Sequence, residues 1–203
     1  MSRLITFGCS YTYGEGLPDV KRIPIIDQPS SPSKLGWASL LSQNLGLELV
    51  NMGYPGSSNT EILYNILTFD FKEDDTVIIM WTHPVRDIVF DKWTPITFMR
   101  TRLGFWKKET NKSWEEKVNI KDYIIKTWMC IHHADLFLTS RKLKYIHYPQ
   151  DITEIETHRI NEIKINNLYT HGFYKIDKVP DGHPGIKSNV ATAQQLYDII
   201  KQQ

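Results

Sequence analysis

The sequence predicts an α/β fold, a mostly parallel sheet with helices on both faces. Two observations carry this. Short apolar runs rich in β-forming residues recur at Leu4 to Phe7, Leu47 to Asn51, Val77 to Trp81 and within "KLKYIHYP". Segments with helical apolar spacing alternate with them, the pattern of parallel strands joined by helical crossovers.

The first run ends on Gly8, Cys9 and Ser10. Tyr11 to Ser33 then collects Gly, Pro, Asp and Ser and reads as a long loop. Trp37, Leu40, Leu41 and Leu45 are spaced as on a helix, and Gly46 suits its C-cap. The second run leads into "NMGYPGSSN", another turn of small residues. Thr60 to Thr68 reads as a helix, with Ile62, Leu63, Ile66 and Leu67 on one side. "EDDTVIIMW" is a polar turn and a third buried strand. Asp91 to Glu116 scatters Trp93, Trp106 and Trp114 among charges without a clean period. Ile120 to Ser140 predicts a long helix. The fourth strand stops at Pro149. Asp151 to Thr170 is ambiguous, a short helix and loop. Ile186 to Lys201 predicts a final amphipathic helix.

The 203 residues suit a single domain, 1–203, with 41% hydrophobic and 23% charged residues. A net charge of +1 recommends neither nucleic acid nor a membrane as partner. Two cysteines, Cys9 and Cys130, supply no disulfide framework and suit a reducing compartment. No signal peptide or apolar run near membrane-spanning length is visible, so a cytoplasmic location is expected.

Ligands of open α/β sheets sit outside the carboxyl ends of the strands. Three such ends stand out: Gly8-Cys9-Ser10, Gly53 to Asn59, and Trp81-Thr82-His83. "VPDGHPGIK", with Asp181 and His183, precedes the last helix. Parallel strands bring all four to one edge. The set holds a hydroxyl, an imidazole, a carboxylate and small residues whose amides can approach an oxyanion. Those are the parts of nucleophilic acyl transfer. "GCSYTYGEG" is neither a phosphate loop nor a dinucleotide fingerprint. His132 and His133 are adjacent, face different directions on a helix, and make no metal pair.

These blocks resemble the SGNH hydrolases, the superfamily of GDSL-type esterases and lipases. Ser10 stands at the nucleophile position. Gly56, ahead of Gly53, matches the glycine of the second block. Asp181-Gly182-His183-Pro184 matches the last block, with one residue between Asp and His where the family more often has two. The resemblance covers Leu4 to Ile200, and the compact form is similar to small members encoded by bacteriophages. It implies a three-layer α/β/α sandwich (flavodoxin-like, the SGNH hydrolase fold), a catalytic set of Ser10, His183 and Asp181, an acyl-serine intermediate, and neither metal nor cofactor. The third block departs from the family, with "MWTHPVRD" where an Asn is usual. The expected oxyanion donors are the Ser10 and Gly56 amides, completed by Asn59 ahead of His83 or Thr82.

Each residue has a plainer alternative. Ser10 suits a helix N-cap. Cys9 suits inert packing. His83 divides between oxyanion donor, substrate contact and structural hydrogen bond. Arg86 is a substrate anchor or a surface ion pair. Most of the tryptophans belong in a core, with Trp93 placed at the substrate and 91–117 as a lid. The resulting expectation is a serine esterase acting on a small ester, such as an O-acetyl group on a carbohydrate. The alternatives are a thioesterase or lysophospholipase with the same residues, and an inactive binding protein of the same fold.

Overall fold

The computed structural model describes residues 2–20, 22–23, 28–29, 31–84, 86–90, 98–102, 120–150, 165–169 and 172–202. Strands β1 (Arg3–Gly8), β4 (Glu48–Gly53), β5 (Thr76–Trp81) and β8 (Lys144–Pro149) form a parallel sheet in the order β4-β1-β5-β8. Two antiparallel pairs lie outside it: β2 (Arg22–Ile23) with β3 (Gln28–Pro29), and β6 (Arg86–Phe90) with β7 (Phe98–Arg102). The helices are α1 (Ser10–Tyr13), α2 (Trp37–Leu45), α3 (Asn59–Thr68), α4 (Ile120–Ser140) and α5 (Ile186–Gln202).

Alternation along the strands fills two cores, because successive side chains leave a strand on opposite faces. On β5, Val77, Ile79 and Trp81 join Ile5 and Phe7 of β1 beneath Ile62 and Ile66 of α3 and Ile124, Trp128 and Ile131 of α4. Ile78 and Met80 point the other way, with Leu4, toward Trp37 and Leu41 of α2 and Ala193 and Leu196 of α5. Both faces of the central strands are covered. Their apolar runs are continuous for that reason, and the result is the expected three-layer α/β/α sandwich.

The four sheet strands and four of the helices follow the sequence expectation closely. Two features differ. The expected loop from Tyr11 contains most of α1, which starts at Ser10, and the short pair β2 and β3. Arg86–Phe90, for which the sequence predicts no element, forms β6, and β7 falls in the stretch from Asp91 that shows no clean period. The proposed lid, apart from 98–102, lies outside the described residues, as does Trp93.

At the amino end of the sheet Arg3 grips Asp75 through Nε–Oδ1 at 2.9 Å and Nη2–Oδ2 at 2.6 Å. That leaves the carboxyl end for the loops that carry the candidate residues. No helix among the described residues is long and apolar enough to cross a membrane.

Candidate active site

The strand order reverses around β1. The chain goes from β1 outward to β4, then returns across to β5. The carboxyl ends of β1 and β5 therefore flank a switch point, where open α/β sheets bind ligands.

Ser10 follows β1 as the first residue of α1 and is 2% exposed. It is not an N-cap. That position is Cys9, whose side chain makes no capping bond. The Cys9 carbonyl instead accepts from Thr12 N and Tyr13 N, both at 3.0 Å. Cys9 is itself buried, with Sγ 3.3 Å from Gln150 Oε1 just past β8. Ser10 Oγ lies 3.9 Å from Cys9 Sγ.

Small residues end these strands because a helix sits on them. A Cβ on Gly8 would stand 2.9 Å from Thr12 Cβ, and one on Gly53 2.8 Å from the same atom. Thr12 fills the notch between β1 and β4, and α1 is thereby held directly against the sheet.

Asp181 and His183 reach the same edge. The segment is a tight turn, with Gly182 N donating to Val179 O at 2.9 Å and Val179 N to His183 O at 2.9 Å. Asp181 folds back on it, and Oδ1 accepts from His183 N at 3.1 Å. His183 Nδ1 is 3.0 Å from the same oxygen, but not at a hydrogen-bonding angle. The turn packs against the loop after α1. A Cβ on Gly16 would lie 2.8 Å from both Asp181 carboxylate oxygens, and Gly16 has φ +84°. Only glycine meets both demands easily. The His183 ring lies 5.9 Å from the ring of Tyr11, the residue after Ser10. Its Nε2 is 3.5 Å from Glu15 Oε2. The residue after Ser10 thus meets the His183 ring, while Ser10 Oγ and the imidazole share no hydrogen bond in this structure.

Gly56 follows β4 with φ +81°, and Ser57 N donates to Tyr54 O at 3.1 Å across Pro55-Gly56. Proline then glycine at the centre fits a type II turn, whose third residue needs a positive φ. Gly53, the weaker match, is the buried residue beneath Thr12.

Asn59, the favoured third donor, has a different task. Nδ2 donates to Thr82 O and to Thr127 Oγ1, both at 3.0 Å, while Oδ1 accepts from Thr82 N at 2.8 Å. A primary amide has two N–H groups, and both are committed to protein acceptors. Asn59 therefore clamps α3, the end of β5 and α4 together and has no N–H to offer an oxyanion. The Thr82 hydroxyl, by contrast, is buried with no hydrogen-bond partner among the described residues. His83 is half-buried beside it, its carbonyl accepting from Arg86 N at 3.3 Å.

Sequence reasoning missed Glu15 and Gln150 at this edge and gave Gly16 a place in the loop turn only. Only Gly16 carried a signal, since a glycine inside the loop after the nucleophile segment hints at a close approach. An open hollow of about 300 Å³ lies nearby, lined by Tyr13, Met52, Tyr54, Glu61 and Asn65. Neither Ser10 nor His183 lines it.

No protein-family profile matches the sequence, and no curated protein sequence is matched. Solved structures do match. One is an acetyl xylan esterase, Est2A, from the rumen bacterium Butyrivibrio proteoclasticus, with TM-score 0.59 and 15% identity over 99% of this chain and 63% of that one. Another is the lipase Lip_vut3 from a goat rumen metagenome, with TM-score 0.57 and 12% identity over 98% and 97% of the two chains. A third is a protein proposed for the G-D-S-L lipolytic family, from Desulfitobacterium hafniense DCB-2, with TM-score 0.53 and 13% identity over 97% and 98%. The chain has the SGNH-hydrolase fold. It spans under two thirds of the acetyl xylan esterase, so the likeness covers one part of that protein. At these identities the likeness speaks to the arrangement of strands and helices alone.

Proposed function

We propose that the protein is a serine ester hydrolase of the SGNH type. One observation supports this above the others. The Asp181-His183 turn packs on the loop that leaves Ser10, which supports Ser10 as nucleophile, His183 as base and Asp181 as its carboxylate. In the proposed reaction Ser10 Oγ attacks the ester carbonyl while His183 takes the hydroxyl proton. The tetrahedral intermediate collapses as His183 returns that proton to the leaving alcohol. Water, deprotonated by His183, then releases the acyl group. Asp181 holds the ring. Backbone N–H groups of Ser10 and Gly56 face the developing oxyanion, and the third donor falls to Thr82 or His83.

A small acyl group on a sugar is the proposed substrate, an O-acetyl ester in the first instance. The likeness to an acetyl xylan esterase supports it. A second reading, an inactive binding protein, draws on the His183 Nε2 contact with Glu15, which must break before the ring can serve Ser10.

A fluorophosphonate probe separates the two. The enzyme reading expects labelling of the wild type, none of Ser10→Ala, and a fall of at least about 10³-fold in p-nitrophenyl acetate turnover with that substitution. An unlabelled wild type with no turnover of acetylated sugars would leave the binding protein as the better account.

A further inference from the structure

Arg86 opens β6, three residues beyond His83. Its backbone is tied to the His83 carbonyl at 3.3 Å, so its position follows that of the loop ending β5. The side chain is half-buried, yet Nε and Nη1 are shut off from solvent and have no hydrogen-bond partner among the described residues. The sequence left two fates for Arg86, an anchor or a surface ion pair. Nε and Nη1 make no surface ion pair among the described residues.

Arginine stays charged in proteins and presents only donors. Folded chains seldom enclose such donors without a partner, and a persistent exception marks strain or a missing ligand. The surroundings show where that ligand would lie. The charge of Arg86 reaches the Tyr11 phenol, as does the charge of Lys175. Tyr11 adjoins Ser10 in sequence and packs edge-on against the His183 ring. Two carboxylates, Asp181 and Glu15, lie at the imidazole. An anion would therefore be drawn to the Arg86 and Lys175 side and repelled from the His183 side.

We propose that Arg86 anchors an anionic oxygen of the substrate, so that the preferred ester carries a carboxylate on its acyl or its alcohol half. This rests on the serine hydrolase reading and adds a charge to its substrate. Binding uncovers the guanidinium, whose Nε–H and Nη1–H then donate to the anionic oxygen and orient the ester carbonyl toward Ser10. Hydrogen bonds to charged groups in such settings exceed neutral ones. An ester without the anion would leave the donors unmet, as they are in the free protein.

Matched esters test this. Mono-p-nitrophenyl glutarate is compared with p-nitrophenyl acetate for the acyl half, and an acetylated glucuronate with an acetylated glucose for the alcohol half. The wild type is expected to favour the charged member of at least one pair. Arg86→Met is expected to lower that charged-to-neutral ratio of kcat/KM by about 10- to 100-fold, and Arg86→Lys to recover part of it. An unchanged ratio in Arg86→Met overturns the proposal. A second readout needs no turnover. In Ser10→Ala, the Arg86 Nε–H resonance is followed during titration with glutarate and with glucuronate. A saturable shift with either supports the anchor, and no shift with both overturns it. If the wild type cleaves none of the four esters, the hydrolase reading fails and this titration alone decides the anion site.

Discussion

His183 stands between two carboxylates, Asp181 at Nδ1 and Glu15 at Nε2. They are expected to act in opposite senses. Asp181 is on the ring's own turn and sets its orientation, so Asp181→Asn should lower kcat by on the order of 10²–10⁴ without loss of folding. Steady-state kinetics alongside a circular dichroism melt checks both halves of that statement. Glu15 occupies the nitrogen that must face Ser10. Glu15→Gln weakens a charge-assisted contact, and Ser10 should then react several-fold faster with a fluorophosphonate. Slower labelling would instead make Glu15 a support of the productive ring position. The sequence showed Asp181 because it lies two positions from His183 before a helix. It could not show Glu15, which comes from the opposite end of the chain. Nor could it show that Asn59 is occupied by Thr82 and Thr127, since those partners arrive from β5 and α4.

Elements were legible in proportion to their length and burial. The central strands β1 and β5 are runs of adjacent apolar residues because both faces are covered, and α2 to α5 show a helical period. Helix α1 has only four residues, SYTY, too few for a period to appear. What marks it is indirect, namely the glycines on which it rests. Gly8→Ala would press a methyl against Thr12 and, at 3.0 Å, against the carbonyl of Met80. A rigid notch of this kind should cost about 1–3 kcal/mol, read as a lower urea midpoint. Adding Thr12→Ala should return part of the loss, because the sites touch and their effects should not add. A strictly additive pair would mean that α1 is seated by something other than Thr12. The β6/β7 pair escaped notice for another reason. It stands outside the main sheet, and the charges and tryptophans from Asp91 onward obscure the extended stretch Ile88-Val89-Phe90.

Across the whole molecule, the layer between the sheet and α4 holds a polar chain that no strand pattern suggested. Trp81 Nε1 donates to His147 Nδ1 at 3.1 Å, so the ring carries its proton on Nε2, which faces Asp135 Oδ1 at 3.6 Å. Tyr145 donates to the same oxygen at 2.7 Å, and Asn166 reaches the carboxylate through its backbone and side chain at 3.1 and 3.2 Å. His147 is fully buried. Burial drives its pKa below the usual 6.5, and Asp135 offsets this only in part. Burial alone would raise the Asp135 carboxyl, but the facing His147 ring and the hydrogen bond from Tyr145 outweigh it and hold the group below its usual 3.8. Both shifts have the same consequence for folding. The unfolded chain takes up a proton on His147 below about 6.5 that the native protein resists, so stability falls as the pH drops through that range. A further loss follows below about 3.8, where unfolded Asp135 protonates first. The wild-type Tm should therefore decline between about pH 7 and pH 5. His147→Asn keeps an acceptor that can serve Trp81 but removes the titrating ring. Its Tm should be lower near neutrality and should change less over the same interval. Parallel Tm curves for the two proteins would assign the acid sensitivity to other groups, and would mean that His147 takes up its proton as readily in the native core as in the unfolded chain.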